Sequence, residues 1–153
     1  MSTTEGTDKR TIDAIVGAAA AFAEDKVGAL IVIERKDPLG SFAGTGHHIN
    51  GALSRILLES IFFKNAPLHD GATIVSKNKV IAAGAVLPLS ESSDLPSKFG
   101  LRHRAAAGIS ERTDALALAV SEENGKIHVF YEGEFELVSQ EELSAKMAQL
   151  IQG

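Results

Sequence analysis

The feature that most constrains the fold is the run Ala29–Ile33, which is short, rich in β-branched residues and wholly apolar. It follows Gly28 and ends before a polar turn at Asp37, Pro38 and Gly40. A short run with no polar position is typical of a strand that is buried on both faces. We therefore predict a sheet that carries helices on its faces.

The rest of the chain supplies further strands and the covering helices. Strands are predicted at Ala72–Ser76, Val80–Leu87, Asp114–Val120, Ile127–Tyr131 and Phe135–Val138. Helices are predicted from Thr11 to about Lys26, over roughly 52–63 with Asn50 as its cap, over 98–112, and onward from the capping box Ser139–Glu142. Because strands and helices mix without a clean βαβ alternation, we predict an α/β domain of mixed α+β character, with a central mixed sheet surrounded by helices.

The domain organisation is predicted to be simple. The chain has 153 residues, enough for one compact domain, which we place at 11–153 after a polar, disordered tail at 1–10. It has no cysteine and a net charge of −5. Thiolate metal sites are thus excluded, and a general attraction to nucleic acid is not expected. With no long apolar run, we expect a soluble, cytoplasmic chain without membrane contact, although the full-length protein could carry an anchor at the membrane's cytoplasmic face.

The first candidate cluster for chemistry is Pro67-Leu68-His69-Asp70-Gly71-Ala72. A carboxylate and an imidazole stand together where a loop meets a strand. The small residues that follow would let a flat ligand approach the backbone closely. The alternative is a plain turn in which Asp70 binds its own backbone. The cluster alone does not decide between a site and a turn.

The second cluster is Gly100-Leu101-Arg102-His103-Arg104-Ala105-Ala106. Guanidinium groups match phosphate oxygens in a bidentate way, and the start of a helix adds the positive end of its dipole. A solvated helix face with surface ion pairs is the alternative. In an acidic chain this local concentration of positive charge favours an anion site.

The third cluster is Val120-Ser121-Glu122-Glu123-Asn124-Gly125, where a strand enters a turn. The Ser121 hydroxyl could bind a phosphate, and a carboxylate could hold a divalent ion together with phosphate oxygens. A polar hairpin tip is the alternative. His47 and His48, much earlier in the chain, are adjacent in sequence and could be considered as a metal-binding pair. Adjacent residues do not share a face of a helix or strand, so we instead predict a surface loop over 41–50.

Taken together and in order, the three clusters resemble the diadenylate cyclase domain of the bacterial DNA-integrity scanning protein and of the membrane-bound and sporulation cyclases. The similarity runs from residue 11 to about 140. It is carried by Gly28–Arg35, Pro67–Ala72, Leu87–Ser90, Arg102–Ala106, Gly108–Glu111 and Val120–Glu123. No single motif is specific, but the ordered set is.

The resemblance implies a slightly twisted mixed sheet, one ATP per subunit, and catalysis only where two subunits meet face to face in a homodimer or higher oligomer. The implied activity is that of a nucleotidyltransferase, which condenses two ATP into cyclic di-AMP and two pyrophosphate with Mg²⁺ or Mn²⁺. Carried over by position, the catalytic residues are Asp70, Arg102 and Arg104. The ATP-binding residues are Gly71, Ala72, Leu87, Leu101, Arg102, His103, Ser121 and Glu123, and the metal-side groups are His69 and Glu123.

One position departs from the family pattern. The family commonly has Thr immediately before Arg-His-Arg, where this chain has Leu101. Leucine cannot donate a hydrogen bond to phosphate. A non-catalytic module that binds ATP or a cyclic dinucleotide therefore stays as an alternative. An ATP hydrolase, a linear nucleotidyltransferase and a structural interaction domain are further alternatives.

Overall fold

A computed structural model describes residues 3–152. Five helices and seven strands follow one another along the chain. They are α1 (Thr3–Asp25), β1 (Ala29–Ile33), α2 (Gly40–Ala43), β2 (His47–Ala52), α3 (Arg55–Phe62), β3 (Ala72–Ser76), β4 (Lys79–Ala85), α4 (Leu101–Arg112), β5 (Leu116–Val120), β6 (Ile127–Tyr131), β7 (Glu134–Val138) and α5 (Gln140–Gln152).

All seven strands form one mixed sheet in the order β2-β4-β3-β1-β5-β6-β7. β1 and β3 run parallel, and every other neighbouring pair is antiparallel. The predicted fold class, a mixed sheet surrounded by helices in a single domain, is confirmed. β1 lies near the middle, and all five of its residues are buried. Its uninterrupted apolar run reflects this burial on both faces.

The alternation of side chains along the central strands divides the core into two layers. In β1, Ile31 and Ile33 pack with α1, α3 and α5, whereas Leu30 and Val32 face α4. Phe22 and Phe62 close the first layer with an edge-to-face contact at 5.6 Å. The second layer beside α4 is built largely from alanines, which lets this helix lie close to the sheet. It is this face that carries the candidate site.

Several element boundaries differ from the prediction, most of all the start of the first helix. The first helix begins at Thr3 instead of Thr11, so residues 3–10 of the predicted tail are helical. Extending a helix that packing has already nucleated gains one backbone hydrogen bond per residue, which explains the extra turns. Lys9 and Asp13 add an ion pair with a 3.0 Å N–O distance across one turn. Met1 and Ser2 lie outside the described residues.

The predicted cap of the second long helix was wrong. Asn50 lies in β2 with a φ of 52°, at an irregularity in its pairing with β4. Ser54 caps α3 instead, and its Oγ accepts a hydrogen bond from the Leu57 N–H at 3.0 Å. The predicted loop at 41–50 likewise contains α2 and the start of β2. β2 escaped prediction because an exposed edge strand needs no apolar alternation.

Ser139 caps the C-terminal helix as predicted, although the Glu142 carboxylate binds the Ser139 hydroxyl where a full capping box would bind the Ser139 backbone N–H. Ser139 Oγ accepts from the Glu142 N–H at 3.3 Å and donates to the Glu142 carboxylate at 2.8 Å. No helix in the described part of the chain has both the length and the apolar character that crossing a bilayer requires.

Candidate active site

A cavity of about 560 Å³ opens at one edge of the sheet, on the face covered by α4. The topology explains its position. β1 and β3 are parallel, so both begin at this edge, and β5 is antiparallel to β1, so it ends there. The loop before β3 and the turn after β5 therefore meet beside the beginning of α4. Three segments far apart in sequence converge because of this strand order.

Eight of the residues predicted from the sequence line this one cavity. They are Asp70, Gly71, Leu87, Leu101, Arg102, His103, Ser121 and Glu123. Each of the three sequence clusters contributes at least two of them. Ala72 lies fully buried at the start of β3, next to Gly71 but outside the lining. The grouping brings a carboxylate, a guanidinium and a hydroxyl to the same space.

Gly71 fixes how Asp70 is presented to the cavity. Its φ is +97°, a conformation that side chains strongly disfavour. A Cβ at this position would also lie 2.8 Å from the carbonyl carbon of Gly84 in the neighbouring strand. Both constraints require glycine. The turn thus ends directly at β3 and leaves the exposed Asp70 carboxylate at the cavity.

Arg102 is the second residue of α4, at the helix end where backbone N–H groups are unpaired. Gly100 caps this end without any side-chain hydrogen bond, and the first turn has no acidic residue. The Arg102 side chain is only 21% exposed, and its Nη1 lies 4.0 Å from Glu122 Oε1. Positive charge and free N–H donors therefore face the cavity together, which is the arrangement that binds phosphate.

Arg104 does not reach this cavity. Two residues along an α-helix correspond to a rotation of about 200°, so Arg102 and Arg104 project from nearly opposite sides of α4. The backbone of Arg104 instead serves the fold, because its carbonyl oxygen accepts from the Ser90 N–H at 2.9 Å. Of the two arginines predicted as catalytic residues, only Arg102 lines the cavity of this subunit.

His103 lines the cavity as a neutral ring. Burial, followed by the charges of His128 and Arg102, lowers its pKa from 6.5 to about 4. Its ring packs on Phe99 with a centroid distance of 4.8 Å. At neutral pH His103 therefore forms part of the cavity wall as an uncharged ring, unlike its two positively charged arginine neighbours.

Ser121 organises the turn that follows β5. Its Oγ accepts hydrogen bonds from the backbone N–H groups of Glu123 at 3.1 Å and Asn124 at 3.4 Å. Both bonds use the oxygen as an acceptor, so the hydroxyl proton is available to a ligand. The turn is thereby ordered, and the hydroxyl faces the cavity as a donor.

Of the predicted metal-side residues His69 and Glu123, only Glu123 lines the cavity. His69 is outside the cavity lining, and its Nδ1 donates to the Ala66 carbonyl oxygen in the same loop at 2.7 Å. Within the described residues, no three His, Asp or Glu side chains cluster closely enough to hold a metal ion. The carboxylates of Asp70, Glu122 and Glu123 do line the cavity. Such oxygen donors suit Mg²⁺ or Mn²⁺ that is bound mainly by substrate phosphates.

Sequence reasoning missed two cations of the site. Lys98 and Lys126 line the cavity, one just before α4 and the other just before β6. Burial lowers the pKa of His128, and the charges of both lysines lower it further. Single lysines next to turns carry no distinguishing sequence signal. They lie next to a helix and a strand that meet at this edge of the sheet, and only the strand order shows that these two elements meet.

Comparison with known proteins identifies the family of the chain. Residues 16–135 match the family described as DisA bacterial checkpoint controller nucleotide-binding. The chain is 43% identical over 143 residues to the cyclic di-AMP synthase CdaA of Bacillus subtilis, covering 94% of this chain and 52% of that protein. It is 44% identical over 133 residues to a diadenylate cyclase of Listeria monocytogenes, covering 86% and 49%.

A crystal structure of a DacA double mutant from Staphylococcus aureus superposes with a TM-score of 0.91 at 38% identity, covering 99% of this chain and all of that one. The chain spans about half the length of the curated relatives it matches. The family match covers most of the sequence and includes all three clusters. The chain therefore belongs to the diadenylate cyclase domain family.

Proposed function

We propose that this chain is the catalytic domain of a diadenylate cyclase, which condenses two ATP into cyclic di-AMP and two pyrophosphate. The observation that carries the proposal is the shared lining of one cavity by Asp70, Arg102 and Ser121. A carboxylate can accept a hydrogen bond or a proton from a sugar hydroxyl, whereas a guanidinium and a hydroxyl can donate hydrogen bonds to phosphate oxygens. Relatives named as diadenylate cyclases and cyclic di-AMP synthases support this assignment.

In the proposed reaction, the 3′-oxygen of one ATP attacks the α-phosphorus of the other. The new P–O bond forms as the bond to pyrophosphate breaks, and the hydroxyl proton passes to the Asp70 carboxylate or to solvent oriented by it. A second, equivalent step closes the ring. Positioning and neutralisation of charge supply most of the catalysis in such transfers.

Other residues of the cavity lining would bind the phosphates. Arg102 and the free N–H groups at the start of α4 would hold the triphosphate, with the Ser121 hydroxyl as a further donor. Lys98 and Lys126 would neutralise the departing pyrophosphate. A bound Mg²⁺ or Mn²⁺ would supply additional charge stabilisation to phosphate oxygens, and the carboxylates that line the cavity, Asp70, Glu122 and Glu123, are the groups of this chain that could hold it.

The same proposal requires a second subunit. One cavity holds the groups for one ATP, whereas the product contains two nucleotides related by two-fold symmetry, so a C₂ dimer is the simplest arrangement. The cavity rim supports this, because the large apolar side chains of Val86, Leu89 and Leu101 are 67%, 46% and 72% exposed. A partner subunit would cover them. We place this assembly in the cytoplasm, with any anchor in a part of the protein beyond this chain.

The test is chromatographic and mass-spectrometric analysis of the products formed from ATP with Mg²⁺ or Mn²⁺ over a range of protein concentrations. Cyclic di-AMP whose yield per subunit rises with protein concentration is expected. Free phosphate or only a linear dinucleotide would instead identify a hydrolase or a linear transferase. Tight ATP binding without turnover in a demonstrated dimer would identify the non-catalytic binding module.

A mixture of parent and variant subunits tests whether each subunit activates one of the two ribose hydroxyls. When parent chains are mixed with an excess of Asp70→Asn chains, most active assemblies hold one Asp70 carboxylate. Only one of the two hydroxyls is then activated, so a linear triphosphorylated dinucleotide should accumulate. Unchanged cyclic product per parent subunit would show that a single subunit completes both steps.

A further inference from the structure

Gly28 lies immediately before β1, at the edge of the sheet where the cavity opens. The guanidinium of Arg102 packs directly against it. A Cβ added at Gly28 would lie 2.6 Å from Arg102 Cζ and 3.0 Å from Nη2, and it would overlap Nη1. No other described residue supplies the nearest atoms to this position, so the space that a side chain would fill is taken by Arg102.

The backbone of Gly28 does not itself require glycine. Its φ lies outside the positive range that side chains disfavour, unlike that of Gly71. Alanine could therefore adopt the same backbone conformation without strain. The obstacle to a side chain is the far end of a long, flexible one, and this group can move where a backbone atom could not.

We infer that Gly28 is a positioning residue, which seats the Arg102 guanidinium beside the triphosphate. The inference rests on the proposed function, because it concerns the phosphate side of the same site. A free arginine side chain samples many rotamers, and fixing it in one of them costs conformational entropy. The pair of Arg102 with Glu122 is long at 4.0 Å, and the glutamate side chain is 67% exposed. Close packing on Gly28 is thus the contact that holds the guanidinium in one place.

The test compares Gly28→Ala, Arg102→Ala and the double variant by ATP titration and by thermal unfolding. Gly28→Ala should weaken ATP binding by about tenfold, as expected when a charge-assisted hydrogen bond is misplaced. Gly40→Ala is the matched control, because a Cβ there meets no atom within 4 Å and Gly40 is not among the residues that line the cavity. It should bind ATP like the parent.

The double variant separates a positioning role from a structural one. Once Arg102 is alanine, nothing remains for a Cβ at position 28 to displace, so the double variant should bind ATP as Arg102→Ala does. Any loss of thermal stability in Gly28→Ala should also be relieved by Arg102→Ala. An equal weakening by Gly28→Ala in both backgrounds would overturn the inference.

Unchanged ATP affinity in Gly28→Ala, with a parent protein that binds ATP, would overturn the inference alone. Failure of the parent protein itself to bind ATP would overturn the proposed function, and this inference with it. The two failures are therefore distinguishable in one set of titrations.

Discussion

Arg102 and Glu122 both line the cavity, with 4.0 Å between Nη1 of the first and Oε1 of the second. At this separation the two groups attract each other but do not form a close hydrogen bond. The guanidinium therefore keeps donor capacity for an incoming anion. A phosphate that binds there would meet a charge that is already largely desolvated and does not have to be released from a tight partner.

The first prediction follows from this arrangement. Arg102→Ala should weaken ATP binding by about ten- to a hundredfold, because a hydrogen bond to a charged group contributes ~1.5–3 kcal/mol. Arg112→Ala is the matched control, since it removes the same charge from the last turn of the same helix. Isothermal titration of the three proteins measures the difference. Equal affinities for the Arg102 and Arg112 variants would remove Arg102 from the site.

The second prediction concerns Leu101, which stands where the family commonly has threonine. Its side chain is 72% exposed at the start of α4, so replacing it should not disturb the core. Leu101→Thr would add a hydroxyl donor beside the free N–H groups. A neutral hydrogen bond of ~0.5–1.5 kcal/mol corresponds to an affinity for ATP that is about two- to tenfold higher. Leu101→Val, which keeps the branched shape without the hydroxyl, should show no gain.

The fold was largely predictable because its strongest signals are local. The apolar run Ala29–Ile33 and the helix cap at Ser139 each follow from a few adjacent residues, and both were placed correctly. β2 was missed because its exposed residues carry no apolar pattern. The start of α1 was missed because helix extension past the packed residues leaves little sequence signature.

The site was predictable in composition but not in geometry. Asp70, Arg102 and Ser121 could be named from their motifs, yet only the strand order brings them to one edge of the sheet. Arg104 and His69 were expected there because the family resemblance carries both over by position. Helix rotation turns the first away, and a hydrogen bond to Ala66 holds the second in its own loop.

The third prediction is a pH dependence of stability. The folded-state pKa of His103 is about 4, below its ordinary value of 6.5, mainly because of burial. Between these values the unfolded chain binds a proton that the folded chain does not, so stability should fall as pH decreases from 6.5 to 4. His128 acts in the same direction, because its pKa is also lowered.

Thermal unfolding at several pH values, for the parent and for His103→Gln, measures this contribution. The variant should lose less stability than the parent over the same pH range, since glutamine does not titrate. The difference between the two slopes isolates His103 from the carboxylates, which titrate in both proteins. Parallel slopes would show that His103 titrates alike in the folded and unfolded chains.

Product analysis of the Asp70→Asn variant tests the central claim most directly. The side chain is exposed at the cavity and asparagine is nearly the same size, so folding and ATP affinity should stay close to those of the parent. With ATP and Mn²⁺, the parent should form cyclic di-AMP and the variant should form at least about a thousandfold less, within the range that general base catalysis contributes. Cyclic di-AMP formed by the variant at the parent's rate would contradict the account.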